Sequence, residues 1–226
     1  MRPQDLQSPF RSKERQVLVE DGIWYIPPGC EKDSDFQFPG WSDSIFFGKD
    51  LPLCIEYCSG NGHWIAAKAK ENPACHWIAV EYDFDRARKI WSKVKNEQLS
   101  NLFIVCGEGF AMTHRYIPSQ SIRSIFINFP DPWPKRRHAK FRLIQIPFIQ
   151  EICRILQPEG ELTMVTDDEK SSDEFIDLMQ RFTSFQSVYS APYFVSTFPN
   201  YGFSSFDQLW REQGKTIRYH LFRKIK

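Results

Sequence analysis

The chain has 226 residues, 42% hydrophobic and 25% charged, close to the globular average, which excludes wholesale disorder and a fibrous architecture. With 29 Lys and Arg against 28 Asp and Glu the formal charge is +1, which excludes a uniformly basic coat but leaves room for local basic patches. No stretch approaches the roughly 18 apolar residues of a membrane-spanning helix, the opening Met1-Arg-Pro-Gln-Asp5 lacks the apolar core of a secretory signal, and neither the six cysteines nor the five histidines fall at metal-ligand or disulfide-framework spacing. Free thiols in a reducing cytoplasm, and no bound metal, are the expectation.

In chain order, residues 1–50 read as irregular. Phe36, Phe38, Trp41, Phe46 and Phe47 crowd a polar background, and 1–40 is expected to be an arm, flexible or packing its aromatics onto a body at 41–226. From Leu51 strands and helices alternate. Pro52–Glu56 is a short apolar strand stopping at the turn Cys58-Ser-Gly-Asn-Gly62, and a helix from Trp64 ends at Asn72-Pro73. His76–Glu81 is a second strand. Phe84, Ala87, Trp91 and Val94 mark an amphipathic helix, and Leu102–Cys106 and Ser124–Asn128 are further strands. A helix around 147–156 is stopped by Pro158-Glu-Gly160, a strand follows at 161–166 and a helix at 171–183. Alternation at 217–222 gives a late strand. The pattern predicts one α/β domain, doubly wound, with a mostly parallel sheet and one late antiparallel strand.

In such sheets ligands bind outside the carboxyl ends of the strands. Gly60 and Gly62 follow the first of these strands and let backbone approach a ligand closely. Glu81 ends the second strand, 21 residues beyond Gly60, where an acidic residue binds ribose hydroxyls in nucleotide folds. Glu56 stands at the first strand end and Glu108 follows the third. A dinucleotide fold wants a third glycine where Ile65 stands, which disfavours a nicotinamide dehydrogenase. Several acids along the rim would repel a pyrophosphate and welcome a cationic sulfonium nucleoside, which describes S-adenosylmethionine.

The most specific segment is Asn128-Phe-Pro-Asp-Pro-Trp-Pro-Lys135. Its prolines fix their own φ and are expected to push the residues before them into extended backbone, so that Asp131 is presented rigidly at a strand end. Basic residues follow at once (Lys135, Arg136, Arg137, His138, Lys140 and Arg142), with no Asp or Glu from Pro132 to Gln150. A charge run is usually a solvated face; here, abutting Asp131 and interleaved with aromatics, it reads as a phosphate-binding patch.

These residues carry a resemblance. Glu56-x-x-x-Gly60-x-Gly62, Ala79-Val-Glu81, Phe129-Pro-Asp-Pro-Trp133, Arg137-His138 and Thr166-Asp167 resemble the bacterial tRNA (guanine-N7)-methyltransferase family, a class I methyltransferase group, from about residue 40 to the C-terminus. The resemblance implies transfer of a methyl group from S-adenosyl-L-methionine to N7 of a guanosine in the tRNA variable loop, position 46, with tRNA as partner and no obligatory protein partner. It matches Glu56, Glu81, Glu108 and Asp131 to cofactor-binding acids, Asp131 also to the active-site residue, and Lys135, Asp167, Ser204 and Asp207 to substrate-binding positions. Three positions depart from the family pattern: Cys58 stands where a glycine is usual, Glu108 replaces an aspartate, and Ser204-Ser-Phe-Asp207 replaces T-x-x-E.

Guanine N7 carries a free lone pair in the neutral base, so no strong general base is required and positioning is the expected work. Other readings are a class I methyltransferase acting on another RNA or a small molecule, and a non-catalytic RNA-binding protein on the same fold. The retained rim acids speak against the last.

Overall fold

The computed structural model describes residues 1–10, 15–30, 35–133, 137 and 142–225. The sequence-predicted patch residues Lys135, Arg136, His138 and Lys140 therefore lie outside the described residues. The chain forms two compact units, one of residues 1–117 and one from Pro118 onward.

The first unit carries β1 (Leu18–Glu20), β2 (Ile23–Ile26), β3 (Leu53–Tyr57), α1 (His63–Glu71), β4 (His76–Glu81), α2 (Phe84–Glu97), β5 (Leu102–Gly107) and α3 (Gly109–Tyr116). Its strands lie in the order β1-β2-β5-β4-β3. β2, β5, β4 and β3 are parallel, and β1 closes a hairpin onto β2. Every residue of β3, β4 and β5 is buried, which is why these strands read as near-continuous apolar runs. α2 begins at Asp83, whose carboxylate accepts the Arg86 N–H at 2.9 Å, and buries Ala87, Ile90 and Trp91. Proline at 73 ends α1 as expected.

Residues 18–26 are not irregular as the sequence suggested. They form the β1–β2 hairpin, turned by Asp21-Gly22 with positive φ at both. The reason lies in Trp24, fully buried and ringed by Phe36, Phe38, Trp41, Phe46 and Tyr116 with centroids 5.0–5.9 Å away. That cluster gives a four-residue strand a reason to pair that its own pattern lacks.

The second unit carries β6 (Ile122–Asn128), α4 (Ile146–Ile155), β7 (Leu156–Thr166), α5 (Glu169–Met179), β8 (Phe185–Ser187), α6 (Ser205–Glu212) and β9 (Arg218–Lys224). The strand order is β6-β7-β9-β8, with β6 and β7 parallel and β9 antiparallel to both its neighbours. Pro158 and Gly160 do not stop the chain between helix and strand. β7 starts directly at Leu156, and the extra residues are absorbed as an irregularity opposite Ile122 and Ser124. No helix among the described residues is long and apolar enough to cross a membrane.

Candidate functional site

In the first unit the registers Glu56↔Ala79 and Glu81↔Cys106 align the carboxyl ends of β3, β4 and β5 along one edge. Glu56 and Glu81 are both buried on that edge; Glu108, one residue beyond β5, is exposed at the N-cap of α3. The turn after β3 is drawn onto β4 by two of its backbone N–H groups. The Ser59 N–H donates to the Val80 carbonyl (3.1 Å), and the Gly60 N–H donates to Glu81 Oε2 (2.7 Å). The other Glu81 oxygen accepts the Asp83 N–H at 2.9 Å. Burial raises the Glu81 carboxyl above its ordinary range, with these two N–H groups and Arg86 opposing.

Cys58, Gly60 and Gly62 all have positive φ (62°, 56° and 73°). The family glycine that Cys58 replaces thus stands where a side chain is disfavoured. Gly62 is required on steric grounds as well. A Cβ there would meet Ile90 Cγ1 at 2.7 Å, so the turn lies against α2 only because the side chain is missing.

Glu81 spends one lone pair of each oxygen on backbone, and the second on each could accept from a pair of vicinal hydroxyls. Acids along the edge suit a ligand with a positive centre. The described residues contain no cluster of His, Cys, Asp and Glu able to hold a metal ion.

In the second unit β6 and β7 end side by side, Asn128 opposite Val165, and the ladder continues one residue to the Phe129 N–H, which donates to the Val165 carbonyl at 2.9 Å. Asp131 and Asp167 follow these two neighbouring strands. The proline-rich segment departs from expectation. Phe129 and Trp133, each preceding a proline, have φ of 48° and 41° rather than extended backbone. Proline disfavours the right-handed helical region for the residue before it, and here both residues take the left-handed region instead of the extended one. Backbone strain of this kind at non-glycine residues concentrates at functional sites. Asp131 lies between the two strained residues with its side chain exposed.

Arg142, read from sequence as part of the basic patch, is a tie within the unit. It donates to the Trp133 carbonyl (3.2 Å) and pairs with Glu174 of α5 (2.7 Å). Arg137 is exposed.

Asp167 pairs with Lys215 at 2.5 Å. Ser204 is the N-cap of α6, its hydroxyl accepting the Asp207 N–H at 3.4 Å. The Asp207 carboxylate accepts from Arg211 Nε (2.5 Å) and from the Tyr219 hydroxyl. Desolvation, and then Asp207 itself, push the Tyr219 phenol up to about 12. Phe206 lies 5.9 Å from Phe129, and the Tyr201 hydroxyl donates to Asn128 Oδ1 at 3.0 Å, so α6 and its approach segment sit against the start of the proline-rich stretch. Ser204, Asp207 and Arg211 border a cleft of about 430 Å³ whose walls also include Phe198, Tyr201, Phe203 and Tyr219. Sequence reading missed Tyr201 and Tyr219 as site residues, and took Arg211 and Lys215 only as part of a C-terminal basic cluster, whereas the structure pairs them with Asp207 and Asp167. For Tyr219 the available signal was the late strand's alternation, which places it opposite Val165, two residues before Asp167.

Comparison with known proteins bears on both units. Residues 50–219 match a family model described as "Putative methyltransferase" (Methyltransf_4). The chain is similar to the tRNA (guanine-N(7)-)-methyltransferase of Chlamydia abortus, 44% identical with 99% of this chain and 98% of that protein covered. It is likewise similar to the protein of that name from Chlamydia felis, 43% identical with the same coverage. Among solved structures, that of the 16S rRNA methyltransferase KamB aligns with a TM-score of 0.58 at 13% identity, covering 79% of this chain and 90% of that one. At that identity the likeness establishes the class I methyltransferase fold.

Proposed function

The chain belongs to the tRNA (guanine-N7)-methyltransferase family, and from that premise we propose that it methylates N7 of guanosine in tRNA, at position 46 of the variable loop, using S-adenosylmethionine. The observation that carries the donor half of this reading is the clasp between Gly60 and Glu81 at the ends of adjacent parallel strands. The tRNA half is supported by full-length similarity to proteins named for that activity.

The residues present fit the donor. The second lone pair on each Glu81 oxygen could accept from the ribose diol, Glu56 is a second buried acid on the same edge, and the local negative charge suits a sulfonium. When bound, adenosylmethionine supplies an electrophilic methyl group. The chain's own task is to bring a neutral purine's N7 lone pair into line, and proximity and orientation of that kind can supply roughly 7–11 kcal/mol. Asp131 and Asp167, following neighbouring strands, are suited to accept from the guanine N1–H and 2-amino group. Lys215 holds the Asp167 carboxylate in place while leaving lone pairs for a second donor. As the ring gains positive charge, nearby carboxylates stabilise it more than they stabilise the neutral base.

The test is incubation of the purified chain with labelled adenosylmethionine and unmodified tRNA transcript, followed by nucleoside analysis. Recovery of 7-methylguanosine, lost when the guanosine at position 46 is replaced by adenosine, is expected. Asp131→Asn should lose most turnover while cofactor binding survives in part; equal, total loss of both would contradict the division of roles.

A further inference from the structure

Arg86, Lys89 and Lys93 follow one another on α2 at three- and four-residue steps, which places them on one face of the helix. Of the other lysines and arginines of α1 and α2, Lys68 pairs with Glu71 (3.4 Å), Lys70 with Glu97 (3.3 Å) and Arg88 with Asp85 (2.8 Å), and Lys95 falls on the opposite face of α2. Among the described residues Arg86, Lys89 and Lys93 form no ion pair. Lys93 and Lys89 instead converge on one uncharged residue, Lys93 Nζ donating to the Asn61 carbonyl (2.9 Å) and Lys89 Nζ to Asn61 Oδ1 (3.3 Å).

The next residue but one, His63, is exposed and within reach of the field of both lysines. Burial first, then Lys93 and Lys89, hold its imidazole below the ordinary value. Lys93 is itself lowered by desolvation, with Glu97 opposing and Lys89 adding to the effect. In a protein of net charge +1 this is a local crowding of like charges, which costs free energy in the absence of an anion. From Arg86 to Lys93 the strip runs about 10 Å along the helix axis, longer than one phosphate and suited to successive phosphates of a strand.

We infer that the α2 face bearing Arg86, Lys89 and Lys93, together with His63 beside the Gly60–Gly62 turn, is a docking strip for the RNA sugar–phosphate backbone, additional to the basic segment that follows Trp133. The inference rests on the tRNA reading above and deepens it. Because Lys89 and Lys93 hold Asn61, in the middle of the glycine turn, the strip also ties the RNA contact to the loop that faces the cofactor.

The experiment measures tRNA Kd across a salt series for the wild type, for Arg86→Gln/Lys89→Gln and for Arg86→Gln alone, with adenosylmethionine Kd and thermal midpoint as controls. Lys93 is left in place because it holds the Asn61 carbonyl. Loss of two phosphate contacts should weaken tRNA binding roughly tenfold near physiological salt and flatten log Kd against log salt by about 1.4–1.8, with the single variant intermediate; the tRNA salt slope is the deciding readout, since Arg86 acts on Glu81 and Lys89 on Asn61 and either change can move cofactor affinity as well. Unchanged tRNA affinity and salt slope in both variants, in a wild type that methylates tRNA, would overturn the strip alone. A wild type that neither binds nor methylates tRNA would overturn the strip and the functional reading together.

Discussion

Cys58 holds a left-handed backbone (φ 62°) immediately after β3, two residues before Gly60. A Cβ in that region costs roughly 1–2 kcal/mol, against about 0.5–1 kcal/mol of extra chain entropy lost by a glycine. Cys58→Gly is therefore expected to stabilise the protein slightly, by about 0.5 kcal/mol, read as a raised thermal midpoint. A lowered midpoint would mean that the thiol's packing outweighs the strain. Glu81 gives a stronger prediction. Glutamine can present only one acceptor to the two N–H groups the carboxylate holds, so one of Gly60 and Asp83 loses its partner or faces an amide donor. Glu81→Gln is expected to weaken adenosylmethionine binding tenfold or more, about 1.4 kcal/mol, measured by calorimetry. The place of Glu81, at a strand end beside the glycine turn, was legible in the sequence because strand, turn, helix and strand are short and fix its distance from the glycines. The bonds of Asp207 to Arg211 and Tyr219 were not, since the Tyr219 contact depends on how the chain returns from α6 to β9.

α6 is an element that cannot stand on burial. None of its eight residues is fully buried, and isolated helices of that length are marginal in water. It is held by the Ser204 cap, by Asp207 reaching Arg211 one turn on and Tyr219 on β9, and by Phe206 against Phe129. Asp207→Ala removes two of these ties. Faster amide exchange over 205–212 is expected, together with lower turnover and an unchanged adenosylmethionine Kd; protection equal to wild type would show that the Asp207 bonds are not what orders the helix. Ser204→Ala, removing a long cap bond, should cost at the low end of the usual range, about 0.5 kcal/mol. The same weakness explains why α6 escaped sequence reading: Phe206, Leu209 and Trp210 fall at helical spacing but have no deep core face to mark them. β3, β4 and β5 were legible for the opposite reason, since strands buried on both faces leave uninterrupted apolar runs. β8 is three residues long and pairs with β9, and α3, which begins inside what reads as a glycine turn, meets Tyr57 through Thr113 and Trp24 through Tyr116, so both are held by neighbours far away in sequence.

At the scale of the molecule, protons couple to folding through the histidines, above all the buried His220. His220 is fully buried on β9, its Nδ1–H donating to the Tyr193 carbonyl (3.0 Å) and its Nε2 accepting from the Ser172 hydroxyl (3.0 Å). Burial drives the imidazole down to about 4 from 6.5, with the Tyr193 bond opposing and Arg218 adding to the shift. Between those two values the unfolded chain binds a proton that the folded one refuses. Stability from this residue is therefore fully present above pH 6.5 and is lost as pH falls toward 4, about 3 kcal/mol over the window and about 2 kcal/mol by pH 5. His76 and His63, both lowered mainly by burial, act with the same sign. Glu81, raised by burial, acts with the opposite sign: its folded form prefers the proton, and that contribution is lost as pH rises through its folded value. Among the described residues three histidines stand against one glutamate, and urea unfolding should show a protein less stable at pH 5 than at pH 7. In His220→Gln, which cannot titrate but can still bridge Ser172 and Tyr193, that difference should shrink by about 2 kcal/mol. An equal pH difference in wild type and variant would mean that the acid sensitivity of the fold originates elsewhere than in the second unit's core.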